Sequence, residues 1–407
     1  MVYYKNQIIK RITWKNNKIA IVQVSSSREN IRLWRNNVGI KLWKQREDLG
    51  ATLIEERHLK CNCTSRNNCT CGMKINEFIK NTNYFQCFNG LENILLVSNN
   101  PKDFCNKISV EDFQRLYSFD RQLSSEIFKL LNIFEEKLQN SISYHFTKAY
   151  CSTLDDTMQY TNKLNYKDIS NEDNYPFSGE YQQYFEIINK FNAKYPNGNN
   201  KFLLFDSFYL KNLVKKYEMI DPLFYKDNLY NAPTGVCVYR NDPKVAVPFW
   251  VAIQSTTFGT LKYLCHYLKD SEMDLVLKDF GLTKNQRYMF LSVLDVINEL
   301  RNQCAHGTII FKFKTPEYIK LNNNLVSTYN LSPRHGSGTR TTPYSVIYLF
   351  DALKILSHFV SVKSIYKIFK KFTYTNNHYL KKDARRVNDN ILKAINADSY
   401  TELKQLC

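Results

Sequence analysis

The stretch Asn298-Glu299-Leu300-Arg301-Asn302-Gln303-Cys304-Ala305-His306-Gly307 joins an apolar-periodic segment to a group of polar side chains. Upstream and within it, apolar residues recur at steps of three and four, at Phe290, Val293, Ile297, Leu300 and Cys304. This spacing predicts a helix, from about Lys284 to His306, that buries one face against other helices. Gly307 follows as the residue that ends it. The sequence therefore predicts a mainly α-helical bundle.

The polar residues at the end of this helix are candidates for catalysis. Arg301 flanks the apolar stripe, whereas His306 would point about 140° away from Arg301 on a regular helix. Asn302 and His306 are four residues apart and share a face, so the amide could orient the imidazole. A histidine in the last turn lies at the negative end of the helix dipole, which favours the imidazolium form. We therefore expect Arg301, Asn302 and His306 to be catalytic, with His306 as general acid or base.

Charge and length limit the class of protein. The chain has 407 residues, a net charge of +18 and 43% hydrophobic residues, so it can form a sizeable core and more than one folding unit. Such a positive field favours a phosphate backbone or an anionic membrane surface as partner. No apolar run is long enough to span a membrane, and the first residues lack the apolar core of a signal peptide. We expect a soluble, cytoplasmic protein with no membrane partner.

Periodicity and composition divide the chain into five segments. They are an N-terminal β-hairpin with a helical extension (1–56), a cysteine-containing segment and linker (57–110), a helical domain (111–152 with 244–372), an insertion rich in Asn, Tyr and Asp (153–243), and a basic C-terminal helical tail (373–407). The hairpin strands are predicted at Gln7–Trp14 and Ile19–Val24, and a helix at Phe202–Met219 is expected to interrupt the insertion.

Other helices follow from the same reasoning. A long helix is predicted from Ser109, whose pairing with Asp112 is typical of an N-terminal cap. Within it, Glu135 lies next to the apolar seam, where it is either buried in a pair with an arginine or an exposed charge. One helix is predicted to open at Val247 and run to Leu261, where Gly259 permits close helix packing or a short break. Another is predicted to span residues 344–372. The segment Thr308–Phe313 reads as extended.

Four of the 11 cysteines form two Cys-x-Cys pairs, Cys61 with Cys63 and Cys69 with Cys71. Four thiols this close could hold one tetrahedral zinc ion, and the site would be structural because four thiolates leave no open position. The usual spacing has two residues between paired cysteines, so a reduced solvated loop and a redox-labile hairpin remain alternatives.

The end of the chain interleaves cations with aromatic residues. The cations are Lys367, Lys370, Lys371, Lys381, Lys382, Arg385 and Arg386. Phosphates pair with lysine and arginine, and unstacked bases lie on aromatic rings, so this pattern favours RNA binding. The alternative is a core helix with a solvated basic face.

Arginine and histidine at this spacing can cleave RNA without a metal or other cofactor. His306 could remove the proton from a ribose 2′-hydroxyl or protonate the departing 5′-oxygen. Arg301 would present a planar fork to the phosphate as it gains charge, and the product would be a 2′,3′-cyclic phosphate. The bare spacing often occurs by chance, so a structural Arg/His pair is the competing interpretation.

Arg301-Asn302-Gln303-Cys304-Ala305-His306 resembles the Arg-Asn-x-x-Ala-His signature of the Abi family of bacterial abortive-infection proteins, the AbiD/AbiF-type group of the HEPN superfamily. Three more stretches are similar to that family: Asn83-Tyr84-Phe85, Tyr117-Ser118-Phe119-Asp120-Arg121-Gln122-Leu123 with Glu135, and Pro248-Phe249-Trp250 with Phe258-Gly259-Thr260-Leu261. The likeness covers roughly residues 75–150 and 245–310. The N-terminal hairpin, the cysteine cluster and the insertion depart from it.

The resemblance implies a HEPN-type helical bundle with metal-independent endoribonuclease activity, used as an anti-phage toxin. It implies that Arg301 and His306 are catalytic and that Asn302 supports them. It also implies a homodimer, since such sites are formed by two facing motifs, and a small structured noncoding RNA as bound inhibitor. We expect that RNA at the basic tail and at the loop carrying Arg334, His335 and Arg340. The alternatives are a non-catalytic RNA-binding ribonucleoprotein module, in which the pair grips phosphate, and a DNA-binding regulator.

Overall fold

The structure, a computed structural model, describes residues 85–153, 247–317, 321–334 and 346–407, with shorter pieces within 2–82 and 156–167 and residue 319. Three sequence predictions lie outside the described residues: the cysteine pairs of 61–71, the helix at 202–219, and the loop residues His335 and Arg340. None of the described helices is long and apolar enough to cross a membrane.

The described chain is mainly helical, as the periodicity predicted. The helices are α1 (Glu92–Leu95), α2 (Val110–Tyr150), α3 (Phe249–Ala252), α4 (Phe258–Tyr267), α5 (Asp270–Asp279), α6 (Arg287–Ala305), α7 (Asn323–Thr328), α8 (Leu349–Ser357), α9 (Lys363–Leu380), α10 (Ala384–Ile395) and α11 (Tyr400–Gln405). The strands are β1 (Val2–Tyr4), β2 (Gln7–Ile9), β3 (Arg11–Lys15), β4 (Lys18–Val22), β5 (Ser98–Asn99) and β6 (Lys102–Asp103).

The N-terminal hairpin is confirmed, but its first strand is divided. β3 pairs antiparallel with β4, in a register that sets Arg11 opposite Val22. The earlier part of the predicted strand, β2, pairs with β1 instead. The prediction missed this second pairing because Val2–Tyr4 is too short to show the alternation of a strand.

The chain forms two compact units, residues 1–119 with 373–390 and residues 120–372 with 391–407. In the first unit, the ring of Phe113 packs 4.7 Å from Phe88 and 5.6 Å from Phe104, measured between ring centroids. Arg386 donates to the carbonyl oxygens of Leu95 (3.1 Å) and Leu96. Aromatic packing therefore joins the start of α2 to the segment around α1, and the guanidinium of Arg386 joins α10 to the same segment.

The second unit is built around α6, the helix predicted from Lys284 to His306. Its apolar side chains are fully or almost fully buried, including Phe290, Val293, Ile297 and Leu300. Phe290 joins an aromatic cluster in which Phe280 lies 5.1 Å from Phe290 and 5.2 Å from Phe134 of α2. Burying such large rings is the main stabilisation of a core of this kind.

Two ion pairs hold α6 against its neighbours α4 and α5. The Nζ of Lys262 lies 2.9 Å from Asp295, and Nη1 of Arg287 lies 2.7 Å from Asp270. Burial lowers the pKa of Lys262 to about 8 and raises that of Asp295 well above its usual value. The first pair joins α4 to α6, and the second joins the start of α5 to the start of α6.

Two helix predictions and one prediction of an extended segment need correction. Residues 344–372 do not form one helix, because the chain breaks between α8 and α9, where Phe359 turns its ring into the cluster of Phe134 and Phe280. The helix predicted from Val247 to Leu261 is divided by Thr257, whose side chain caps α4 by accepting from Thr260. Thr308–Phe313 is not extended but contains a 3₁₀ turn, Ile310–Lys312. Tertiary contacts and a cap overrode the local pattern.

Candidate functional site

The C-terminal end of α6 is closed by a Schellman motif. Gly307 has a φ of 65°, and its N–H donates to the carbonyl of Cys304 at 3.1 Å. The N–H of Thr308 donates to the carbonyl of Gln303 at 3.3 Å. This is the pattern of a helix ended by a left-handed residue, which glycine adopts without strain. The predicted end of the helix is confirmed.

His306 is the C-cap residue of α6 and is exposed. Its backbone N–H donates to the carbonyl of Asn302 at 2.9 Å. Across the described residues, the imidazole makes no hydrogen bond with the side chain of Asn302 or with any other group. The proposed orientation of the imidazole by the Asn302 amide thus stays a prediction. The imidazole itself is accessible to a substrate.

Arg301 lies one turn before His306, against helix α2. Its Nε is 3.7 Å from Oε2 of Glu135, and its guanidinium lies 5.8 Å from the centre of the Phe128 ring. The Glu135 side chain is only 12% exposed, so of the two interpretations of this residue, the buried pair is correct. Burial raises the pKa of Glu135, and the charge of Arg301 opposes that shift.

These contacts position the Arg301 guanidinium but leave its two terminal nitrogens available for other partners. Its side chain remains 29% exposed. Among the described residues, no hydrogen bond is made by its two terminal nitrogens. A guanidinium that is positioned on one side by a carboxylate and open on the other can bind an anion with its remaining N–H groups.

The segment that follows His306 is bound by two neighbouring residues of α2, Asp120 and Arg121. Nη1 of Arg121 donates to the carbonyl of Gly307 at 2.6 Å, and Nη2 donates to the carbonyl of Thr308. Oδ1 of Asp120 accepts the N–H groups of Ile310 at 2.8 Å and Phe311 at 3.2 Å. These bonds bend the chain into the 3₁₀ turn that sequence periodicity did not show.

Asp120 and Arg121 also pair with each other. Burial raises the pKa of the Asp120 carboxyl, while Arg121 and the two backbone N–H groups oppose the rise. In the sequence, the two residues stood out only as part of a resemblance. The available signal was the position of Asp120, three residues before Leu123 and seven before Ile127, which places it on the apolar face of α2. The structure buries it completely, and buried carboxylates have partners.

The basic residues of the C-terminal helices differ in their surroundings. Lys367, Lys370, Lys371, Lys381 and Lys382 are exposed, and the side chain of Arg385 is 93% exposed. Arg386 is instead directed at the carbonyls of Leu95 and Leu96, which gives it a structural role. Arg334 is exposed, and its guanidinium lies 5.6 Å from the ring of Tyr348.

Of the described residues, no group of three or more His, Cys, Asp or Glu side chains could hold a metal ion. Cys61, Cys63, Cys69 and Cys71 lie outside the described residues, so their proposed zinc site stays a prediction.

A family model described as Abi-like protein matches residues 77–312, more than half of the chain. The chain belongs to this family. The matched region holds most of the site just described: Asp120, Arg121, Glu135, Arg301 and His306. It ends at Lys312, directly after the two N–H groups bound by Asp120. No curated protein and no solved structure matches the chain.

Membership of the Abi-like family indicates a role in abortive infection. The matched range also includes residues 153–243, the proposed insertion. Residues 1–76 and 313–407 lie beyond it, so the N-terminal hairpin and the basic C-terminal helices are additions to the matched region.

Proposed function

We propose that this Abi-like protein is a metal-independent endoribonuclease of the HEPN type that arrests growth during phage infection. The observation that carries the proposal is that the end of one helix holds both an exposed histidine, His306, and a partly exposed arginine, Arg301, whose Nε lies 3.7 Å from Glu135. Both lie at the end of α6. Phosphate-ester cleavage needs an acid/base group and a cation placed at one phosphate.

The reaction would use groups of the RNA and of the protein alone. His306 takes the proton from a ribose 2′-hydroxyl, and the 2′-oxygen attacks the adjacent phosphorus. The bond from phosphorus to the 5′-oxygen breaks, and the leaving oxygen takes up a proton. Arg301 donates to the phosphate oxygens as their charge increases. The products are a 2′,3′-cyclic phosphate and a 5′-hydroxyl, and DNA is not cleaved because it lacks the nucleophile.

Two further parts of the proposal concern partners. A homodimer would bring the Arg301 and His306 pairs of two chains into one cleft, so that one histidine could act as base and the other as acid. A small structured noncoding RNA would bind the basic side chains of α9 and α10 and restrain the toxin. Light scattering that gives the mass of a single chain would exclude the shared cleft.

The alternative is a non-catalytic RNA-binding module in which Arg301 and His306 hold phosphate. It is favoured by the exposed cations of α9 and α10, together with Tyr374, whose side chain is 78% exposed. Cations beside an exposed ring suit a single-stranded nucleic acid. Both functions share RNA as the partner, and they differ in whether products form.

The decisive experiment incubates purified protein with total RNA, in chelator, and maps 2′,3′-cyclic phosphate ends. Wild type should produce them. His306→Ala and Arg301→Ala should reduce the rate by roughly 10²- to 10⁴-fold. His358→Ala is the matched control, because His358 is also an exposed C-cap residue, at the end of α8, and it should cleave like wild type.

Equal activity in wild type, His306→Ala and Arg301→Ala would contradict the proposed reaction. Salt-dependent RNA binding without cyclic-phosphate ends would favour the non-catalytic module. A preference for duplex DNA over structured RNA in a binding competition would support a DNA-binding regulator instead.

A further inference from the structure

The segment after His306 is bound far more closely than a surface loop requires. Within five residues, two carbonyl groups and two N–H groups are bound by one Asp/Arg pair. Ile310 and Phe311 are fully buried, so their N–H groups need partners, but Gly307 and Thr308 are partly exposed, and surface loops usually leave such carbonyls to water. Here, Asp120 is completely buried and Arg121 is 28% exposed, so the pair lies beneath the segment.

The contact is specific to the peptide next to the candidate acid/base. The carbonyl that Arg121 binds at 2.6 Å belongs to Gly307, the residue directly after His306. A Cβ at Gly307 would lie 3.3 Å from Nη1 of Arg121 and would occupy a left-handed backbone conformation. The left-handed conformation therefore favours glycine, and a Cβ here would also press on the guanidinium and displace it by a few tenths of an ångström.

The Schellman motif leaves this peptide free to be bound from outside the helix. Gly307 and Thr308 satisfy the carbonyls of Cys304 and Gln303. The carbonyls of Gly307 and Thr308 are not used within the helix end, and the planar guanidinium of Arg121 donates to both. Two parallel bonds from one rigid group restrict rotation of the backbone more than a single bond would. The orientation of the His306 backbone, and with it the reach of its imidazole, follows from that restriction.

We propose that Asp120 and Arg121 are positioning residues for His306, which set the direction of its imidazole by holding the peptides that follow it. Arg121 fixes the carbonyls of Gly307 and Thr308. Asp120 fixes Arg121 and closes the turn at Ile310 and Phe311. The inference rests on the proposed ribonuclease function for its activity readout, but not for its structural readout.

The test compares Arg121→Lys with Arg287→Lys. Arg287 is the matched control, because its guanidinium also binds carbonyls at a helix end, those of Cys265, His266 and Leu268, and also pairs with an aspartate. Lysine keeps the charge but lacks the planar guanidinium that donates to two carbonyls at once. Each variant is measured for melting temperature, for kcat and KM of RNA cleavage, and for the imidazole resonance of His306, assigned by its loss in His306→Ala.

We expect Arg121→Lys to lower kcat by roughly 10- to 100-fold with little change in KM, since misplacement of a catalytic group affects the chemical step. The His306 resonance should shift or broaden. Arg287→Lys should lower the melting temperature at least as much, yet keep kcat and the His306 resonance. Gly307→Ala, which leaves Arg121 in place and disturbs the same contact, should act in the same direction as Arg121→Lys.

Wild-type kcat and an unchanged His306 resonance in Arg121→Lys would overturn the proposal. So would an equal loss of kcat in Arg287→Lys, which would make stability the cause. If wild type cleaves no RNA but the His306 resonance responds to Arg121→Lys alone, the ribonuclease function fails while the positioning role stands.

Discussion

At the C-terminal ends of α4 and α6, an arginine that is paired with an aspartate binds backbone carbonyls. The arginine is the buried member of the pair at α4, and the aspartate is the buried member at α6. At α4, Arg287 binds three carbonyls and pairs with Asp270; its side chain is 6% exposed, whereas that of Asp270 is 71% exposed. At α6, Arg121 is 28% exposed and its partner Asp120 is completely buried. The histidines of the two ends differ likewise, because His266 is buried and His306 is exposed.

The difference follows from how each helix ends. α4 ends without a glycine, and Arg287 supplies donors to the carbonyls of its last turn, which would otherwise be unpaired. α6 ends in Gly307, whose Schellman motif satisfies the last carbonyls internally. Arg121 is therefore available to bind the chain beyond the helix. Arg287 therefore binds carbonyls within the core, whereas Arg121 binds the short segment that follows the exposed His306.

The largest effect is expected from truncating the two arginines. Arg287→Ala should lower the free energy of unfolding by about 3–5 kcal/mol, because it leaves buried carbonyls without donors. Arg121→Ala should cost about 3 kcal/mol, because water can reach the Gly307 and Thr308 carbonyls and the buried Asp120 loses its ion-pair partner but keeps the N–H groups of Ile310 and Phe311. Urea denaturation measures both. If Arg121→Ala proves the more destabilising, the burial of each arginine does not determine how much its contacts stabilise the fold.

The paired aspartates sharpen the comparison. Asp270 uses one oxygen, Oδ1, to accept from both Lys167 and Arg287, and the single oxygen of an amide can replace it. Asp120 uses Oδ1 for two N–H groups and Oδ2 for Arg121. Asp120→Asn should therefore cost about 3 kcal/mol and Asp270→Asn about 1 kcal/mol. Equal thermal shifts for the two variants would refute this reasoning.

The smallest effect concerns the buried histidine. Burial, with smaller contributions from Lys262 and Arg287, lowers the pKa of His266 well below its usual value. The unfolded state therefore binds more protons than the folded state once the pH falls below about 6.5, and stability decreases there by up to about 1.4 kcal/mol per pH unit. This penalty is absent above that pH.

His266→Phe should remove that part of the acid sensitivity. Its loss of stability between about pH 7 and pH 5 should be smaller than that of wild type. Burial also lowers the pKa of His358, but His358 is present in both proteins, so the difference between them reports His266. Parallel stability curves across this range would show that His266 does not titrate as its burial implies.

The sequence by itself determined the elements whose cause is local. The period of α6, the cap at Ser109, where Asp112 accepts the backbone N–H at 2.7 Å, and the stop at Gly307 depend on neighbours within a few residues. The candidates Arg301 and His306 came from the same stretch. Glu135 was left with two interpretations, since periodicity places a side chain on a helix face but does not name its partner.

Tertiary structure alone decided the contacts of the site. Arg121 and Gly307 are 186 residues apart, and no periodicity specifies which turn of α2 meets the end of α6. The break between α8 and α9 and the turn at Ile310 arose in the same way, because the packing of the Phe359 ring and the buried carboxylate of Asp120 outweigh local propensity. The sequence thus supplied the reactive side chains, and packing between distant helices supplied the groups that hold them.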